Sequence, residues 1–141
     1  MNSMTKFLSI GDLSKTTGCN IETIRYYEKI GLLFEPDRSS GGHRLYDRSA
    51  SNRLRFILRS RELGFPISEI RTLLGLVDEK SLTCGEVKDL TEGHIRNIKK
   101  KIKDLRKLET VLNKMVAECE GGNIPDCPII DALSSIPDRP D

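Results

Sequence analysis

The chain has 141 residues, which is enough for one modest domain or two small modules. Its 37% hydrophobic and 31% charged residues exclude a disordered or low-complexity chain, and its 5% aromatic residues allow only a lean core. The net charge of +2 indicates no class of partner. Residues 1–75, however, hold 12 Lys and Arg against 8 Asp and Glu, while residues 76–141 hold 11 against 13. The basic front half therefore favours nucleic-acid binding by that half.

The first predicted elements are two short helices joined by a tight turn. Ser9 can begin the first helix as its N-cap. Asn20 can cap the second helix, which is predicted over residues 21–29, and Gly18 lies in the turn between them. Two short helices joined by a glycine-containing turn are typical of a helix-turn-helix.

The second helix carries the side chains that we expect to contact DNA. Its apolar periodicity turns Thr23, Arg25 and Tyr26 outward, where they can face a major groove. Arg25 suits either a guanine edge or a phosphate, and both assignments stay open. The alternative is that Arg25 pairs with Glu22 or Glu28 on a solvated helix face.

A glycine-rich hairpin is predicted after the second helix. Residues 32–34 and 43–46 are expected to pair as short strands around a Gly-Gly tip. Four side chains on or near this hairpin suit contacts with DNA phosphates: Arg38, His43, Arg44 and Tyr46. For Tyr46 the alternative is a core ring that closes the hairpin.

Two further helices complete the predicted front half. One begins at Asp47 or Ser49 and runs to about residue 63, and the other follows the break at Gly64-Phe65-Pro66. Three arginines of the first can reach flanking phosphates or simply face solvent: Arg53, Arg55 and Arg59.

A long helix dominates the back half. It is predicted from Cys84 to Glu118 without an interrupting proline, and it would span roughly 50 Å. Apolar residues recur along it at spacings of three and four: Ile95, Ile98, Ile102, Leu105, Leu108, Leu112 and Met115. A helix this long cannot bury such a stripe alone, so we expect a homodimer through the same helix of a second copy. The alternative is that the stripe folds onto the front half.

The chain contains four cysteines: Cys19, Cys84, Cys119 and Cys127. No apolar run approaches the length of a membrane span and no signal peptide opens the chain, which favours a cytoplasmic location. In that reducing environment, clustered cysteines are more often metal ligands or redox groups than structural disulfides. Cys119 and Cys127 bound a short loop that can fold around an ion, whereas Cys19 lies in the helix-turn-helix joint and is interpreted as a packing residue.

Several stretches, taken in chain order, resemble one family. They are residues 8–13, 21–33, 42–46 and 63–70, followed by the long helix and the loop from Cys119 to Cys127. Together they are similar to the MerR family of bacterial transcription regulators, and most similar to its mercury and divalent-metal branch.

The resemblance implies a mainly α fold in three parts. Residues 1–76 would form a winged helix-turn-helix DNA-binding domain, and residues 77–118 a linker and a long antiparallel coiled-coil dimerisation helix. Residues 119–141 would form a short metal-binding loop, a short helix and a tail. The family's dimers sit on promoters whose spacer is too long for RNA polymerase, and they activate transcription by bending and untwisting that DNA. No membrane contact is implied.

The resemblance also implies a metal site with Cys84, Cys119 and Cys127 as ligands. Cys84 lies about 50 Å from the loop along its own helix, but in an antiparallel dimer it would meet the partner's loop. Thiolates select soft ions, and three of them without imidazole fit Hg(II) first, then Cd(II), Pb(II) or Zn(II). Copper-sensing relatives have Ser in place of Cys84, so Cu(I) ranks third. The length of the loop, however, with seven residues between Cys119 and Cys127, matches the copper branch better than the mercury branch.

Competing functions are less well matched by the residues. An enzyme is not expected, because no Cys-x-x-Cys, Ser/His/Asp set, phosphate loop or carboxylate pair stands out. A thiol-based redox or aldehyde sensor of the same fold remains an alternative. A drug sensor would need a large C-terminal domain, and about 20 residues after the long helix cannot build one.

Overall fold

The structure, a computed structural model, describes residues 6–119. The chain divides after Asp78 into two compact units, two residues beyond the predicted boundary at residue 76. Among the described residues no helix is both long enough and apolar enough to cross a membrane.

The front unit is a small helical fold with a two-stranded hairpin. Its elements are α1 (Ile10–Thr17), α2 (Ile21–Lys29), β1 (Asp37–Arg38), β2 (Arg44–Leu45), α3 (Arg48–Glu62) and α4 (Ile67–Asp78). The strands pair antiparallel, with Asp37 opposite Leu45, and Leu8 forms a separate antiparallel bridge with Tyr46. The mainly α fold with a winged helix-turn-helix is therefore as predicted.

Side-chain caps begin three of these helices. Ser9 Oγ accepts the backbone N–H of Asp12 at 3.1 Å, and Asn20 Oδ1 accepts that of Thr23 at 2.8 Å. Asp47 Oδ1 likewise accepts the N–H of Ala50 at 2.9 Å. Each cap satisfies a backbone donor that the first helical turn would leave without a partner. The capping signals thus placed the starts of α1 and α2 correctly, and α3 is capped by the earlier of the two residues predicted to begin it.

The prediction of a strand over residues 32–34 was wrong. The N–H groups of Leu32 and Leu33 donate to the carbonyl of Tyr27 at 2.9 and 3.2 Å, so this segment closes the end of α2. Both leucines are buried in the core, and the hairpin begins later, at Asp37. Backbone donors used to end a helix are not available to a strand ladder.

The core lies between the four helices of the front unit. Its fully buried aliphatic residues include Leu13, Ile24, Leu32, Leu54, Ile57 and Ile70. α1 packs on α2 and α3, and α3 packs on α4. This packing fixes one face of α2 inward and leaves the opposite face to solvent.

The back unit contains α5 (Cys84–Cys119), whose 36 residues span about 54 Å. Thr83 caps its first turn, since Thr83 Oγ1 accepts the N–H of Glu86 at 3.2 Å and the same hydroxyl donates to the Glu86 carboxylate at 3.2 Å. Five apolar side chains of the stripe are 38–63% exposed in this chain: Ile95, Ile98, Ile102, Leu105 and Leu112.

Candidate DNA-binding surface and metal-site residues

The outward face of α2 presents the predicted DNA-contacting side chains. Ile24 and Tyr27 point into the core, whereas Arg25 is exposed, Tyr26 is 50% exposed and Thr23 is half-buried. This is the arrangement that a major-groove recognition helix needs, because its polar side chains can reach base edges and phosphates without unpacking the core.

The alternative in which Arg25 pairs with Glu28 is disfavoured by the partners of Glu28. The Glu28 carboxylate accepts a hydrogen bond from the hydroxyl of Tyr46 and another from Arg44 Nε at 3.3 Å. Within residues 6–119, the ion pairs of Glu28 do not include Arg25. Arg25 itself is exposed on this face of α2.

The tip of the hairpin is held by its own residues. Arg38 Nη1 donates to the carbonyl of Gly42 at 2.9 Å, and Ser39 Oγ accepts the N–H of His43 at 3.2 Å. Gly42 has φ +83°, a left-handed conformation that residues with a Cβ rarely adopt. Arg38 and His43 are exposed on this tip. The tip therefore presents two basic side chains on a fixed backbone.

The prediction that Tyr46 contacts a DNA phosphate was wrong, because its side chain is buried and does not face solvent. The residue is 1% exposed, and its hydroxyl donates to Glu28. Burial, and then the hydrogen bond to the Glu28 carboxylate, raise the pKa of Tyr46 far above its usual value, so the hydroxyl remains a donor at any physiological pH. The alternative, a core ring that closes the hairpin, describes its position.

Tyr46, Glu28 and Arg44 together fasten the hairpin to α2. Arg44 lies on β2 with its side chain 26% exposed, and it uses Nε for Glu28. The sequence analysis missed the role of Glu28. Its position four residues after the core residue Ile24 was the available signal, because residues four apart lie on one helix face.

Tyr46→Phe is expected to lower the free energy of unfolding by about 1–3 kcal/mol, because the largely buried Glu28 carboxylate loses a donor. Urea denaturation at a fixed protein concentration measures this. Tyr26→Phe removes the same atom from a half-exposed ring and is the matched control, with an expected change within about 0.5 kcal/mol. Equal effects of the two substitutions would contradict the role assigned to the hydroxyl of Tyr46.

The three arginines of α3 differ in their surroundings. Arg53 is engaged within the fold, since its guanidinium donates to Leu32 and Asp78 and lies 4.3 Å from the centre of the Phe34 ring. Arg59 forms an exposed ion pair with Glu62 at 2.8 Å, and Arg55 is exposed. Neither sequence interpretation, a phosphate contact or a solvated side chain, describes Arg53.

The predicted metal ligands are placed only in part by the structure. Cys84 is exposed and is the first residue of α5, whereas Cys119 is the last residue of the same helix. The intervening helix separates their backbones by about 53 Å. Cys127 lies outside the described residues. Within residues 6–119, no three His, Cys, Asp or Glu side chains come together as a metal site.

Cys19 is a core residue, as predicted. It is 5% exposed, and burial raises the pKa of its thiol. A thiol held in its protonated form is a poor metal ligand, because metals bind the thiolate. This agrees with the interpretation of Cys19 as a packing residue.

Comparison with known proteins identifies the family. The family model described as "MerR HTH family regulatory protein" matches residues 8–76, and the model "MerR, DNA binding" matches residues 52–115. The chain is 44% identical to the mercuric resistance operon regulatory protein of Bacillus cereus, over 88% of this chain and 95% of that one. It is 40% identical to the HTH-type transcriptional regulator HmrR of Rhizobium leguminosarum bv. viciae, over 90% and 98%.

Solved structures agree with this assignment. The transcription regulator PbrR691 from Ralstonia metallidurans CH34, in complex with lead(II), is 42% identical with a TM-score of 0.53, over 89% of this chain and 98% of that one. HiNmlR, a MerR family regulator bound to promoter DNA, has a TM-score of 0.63 over 79% and 85%, and at 21% identity it supports the fold alone. These relatives are regulators and not enzymes, in agreement with the sequence analysis. The chain belongs to the MerR family of DNA-binding transcriptional regulators.

Proposed function

We propose that this protein is a cytoplasmic homodimer that represses a promoter without metal and activates it when a thiophilic metal binds. The proposal that the protein binds DNA rests on one observation: α2 exposes Arg25 and Tyr26 on the surface of the four-helix front unit. The metal-responsive part is supported by relatives named for mercuric resistance and by one relative crystallised with lead(II).

The DNA-binding surface consists of α2 and the hairpin tip. Thr23, Arg25 and Tyr26 enter a major groove, while Arg38, His43 and Arg44 contact the flanking phosphates. Arg44 has N–H groups left after its bond to Glu28, so it can contact a phosphate while the hairpin stays fastened to α2. Tyr46 contributes by holding this arrangement rather than by contacting DNA.

Arg25→Ala is expected to weaken binding to the operator by about 1–3 kcal/mol, or roughly 5- to 150-fold, if the guanidinium reads a base. The loss should concentrate at one base pair of the operator. Fluorescence anisotropy at fixed salt concentration measures the affinity. Lys88→Ala, which removes one positive charge from α5, controls for net charge and should change the affinity by less than about twofold. An affinity equal to that of the wild type would refute the role of Arg25.

The proposed metal site takes Cys84 from one copy and Cys119 and Cys127 from the other. The helix length supports this division, since about 53 Å separates the backbones of Cys84 and Cys119 within one copy. An antiparallel arrangement of two α5 helices brings opposite ends together. Three thiolates suit Hg(II) first, then Cd(II), Pb(II) or Zn(II), because sulfur is a soft donor. A site shared between two chains couples metal binding to the geometry of the dimer.

Activation acts through the shape of the promoter. The dimer occupies the spacer between two promoter elements, and metal binding changes the angle between its two DNA-binding units. The DNA bends and untwists, which aligns the elements for RNA polymerase. Control of this kind alters transcription without requiring a change in occupancy.

The test combines DNA selection with metal titration. Duplexes bound by the reduced protein are selected from a random pool, and the resulting operator is placed in a long-spacer promoter for transcription with bacterial RNA polymerase. Hg(II), Cd(II), Pb(II), Zn(II) and Cu(I) are then added anaerobically with a competing thiol. Activation by Hg(II), with ultraviolet thiolate–metal absorption, is the expected result. Activation by Cu(I) alone would assign the protein to copper, and activation by oxidant without metal would make it a redox sensor.

A further inference from the structure

Arg53 joins three parts of the front unit through one guanidinium group. Its Nε donates to the carbonyl of Leu32 at 2.6 Å. Its Nη1 and Nη2 donate to the two carboxylate oxygens of Asp78 at 2.8 and 2.7 Å. The Arg53 side chain is only 12% exposed. A bidentate pair of this kind fixes the orientation of the guanidinium plane as well as its position.

The two partners of Arg53 lie at functionally distinct places. Leu32 belongs to the turn that ends α2, the proposed recognition helix, and is 1% exposed. Asp78 is the last residue of α4 and of the front unit, and five residues separate it from Cys84. A second hydrogen bond joins α4 to the same turn, since Arg71 Nη2 donates to the carbonyl of Ile30 at 2.6 Å. The last residue of α4 is thus linked to the turn after α2 through Arg53 of α3, and the middle of α4 bonds to that turn directly.

We propose that Arg53 is a positioning residue that couples the end of α4, where the chain leaves for α5, to the orientation of α2. A displacement of Asp78 rotates the guanidinium, and the carbonyl of Leu32 then follows or loses its hydrogen bond. Losing it is costly, because the carbonyl belongs to a buried residue. This inference rests on the proposed function, in which metal binding at Cys84 must change how α2 meets DNA.

Coupling between two sites is reciprocal, so it can be tested without metal. If α2 is coupled to the end of α4, operator binding at α2 must alter the backbone dynamics of residues 79–88, which follow α4. Hydrogen exchange followed by mass spectrometry measures these amides with and without the selected operator. Asp78→Asn weakens the ion pair while keeping the shape of the side chain. Glu62→Gln makes the matched change in the exposed ion pair of Arg59 on the same helix, α3.

In the wild type and in Glu62→Gln, the operator is expected to change the exchange rate of residues 79–88 by about fivefold. In Asp78→Asn this change should fall to less than a third, while operator affinity stays within about twofold and thermal unfolding remains cooperative. Direct covering of these amides by DNA would persist in Asp78→Asn, so it is distinguished from coupling. No change in the wild type, or an equal change in Asp78→Asn, would overturn the proposal.

A second experiment, with metal, distinguishes failure of this inference from failure of the proposed function. Asp78→Asn should bind Hg(II) as the wild type does, yet its ratio of activated to basal transcription should drop about fivefold. If the wild type itself fails to respond to metal, the proposed function is wrong, and the exchange measurement still decides whether Arg53 couples α4 to α2. An undiminished activation ratio in Asp78→Asn would refute the coupling.

Discussion

Replacement of Cys84 by Ser is expected to reduce Hg(II)-dependent activation to less than about a tenth of the wild-type value, because a serine hydroxyl is a hard, neutral donor. Operator affinity without metal should stay within about twofold, since Cys84 lies outside the front unit that carries the DNA-binding surface. Transcription from the selected promoter measures the activation, ultraviolet thiolate–metal absorption measures the metal binding, and fluorescence anisotropy measures the operator affinity.

The matched control for this substitution is Cys19→Ala. Cys19 is 5% exposed, and burial raises the pKa of its thiol, so its removal should cost some stability but leave the metal response intact. If Cys84→Ser still activates normally with Hg(II), the proposed site is wrong. If it loses Hg(II) but keeps a full response to Cu(I), the protein is a copper sensor that uses Cys119 and Cys127 alone.

The parts of the fold that sequence analysis predicted well depend on interactions between near neighbours. The cap at Asn20 and the apolar spacing of Ile24 and Tyr27 placed α2 at Ile21–Lys29, the range predicted. The start of α5 at Cys84 is also the one predicted, and Thr83 caps it through the N–H of Glu86, three residues later. Such signals are local, because each requires only residues within one or two helical turns.

The parts that it did not predict depend on residues that meet only after folding. The bond between Glu28 and Tyr46 joins positions 18 residues apart, and the pair Arg53–Asp78 joins positions 25 apart. The spacing of Glu28 from Ile24 indicates only that Glu28 faces inward, and no spacing along the chain identifies the partner in either contact. The apolar character of Leu32 and Leu33 predicted a strand, but their N–H groups donate to the carbonyl of Tyr27 and end α2. This miss, by contrast, has a local cause, because the bonds that end the helix join Tyr27 to residues only five and six positions later.

Ile102→Glu is expected to dissociate the proposed homodimer. Ile102 lies on the apolar stripe of α5 and is 41% exposed in this chain, so a partner would bury the rest of it. The substitution removes that apolar burial and places a carboxylate in the interface, and two-fold symmetry doubles the cost. The dimer should be weakened by roughly 3 kcal/mol or more, about a hundredfold in its dissociation constant. Sedimentation equilibrium measures this directly.

Lys100→Glu is the matched control, because it places the same side chain on α5 two residues earlier. Two residues advance the helix by more than half a turn, so position 100 faces away from position 102. This variant should remain dimeric although its change in net charge is the larger one. Ile102→Glu should also lose most of its operator affinity, since each monomer can hold only one half-site. A monomeric Ile102→Glu that bound the operator normally would refute the need for two copies on DNA. A dimeric one would place the interface elsewhere and contradict the proposed metal site, which pairs Cys84 with the partner's loop.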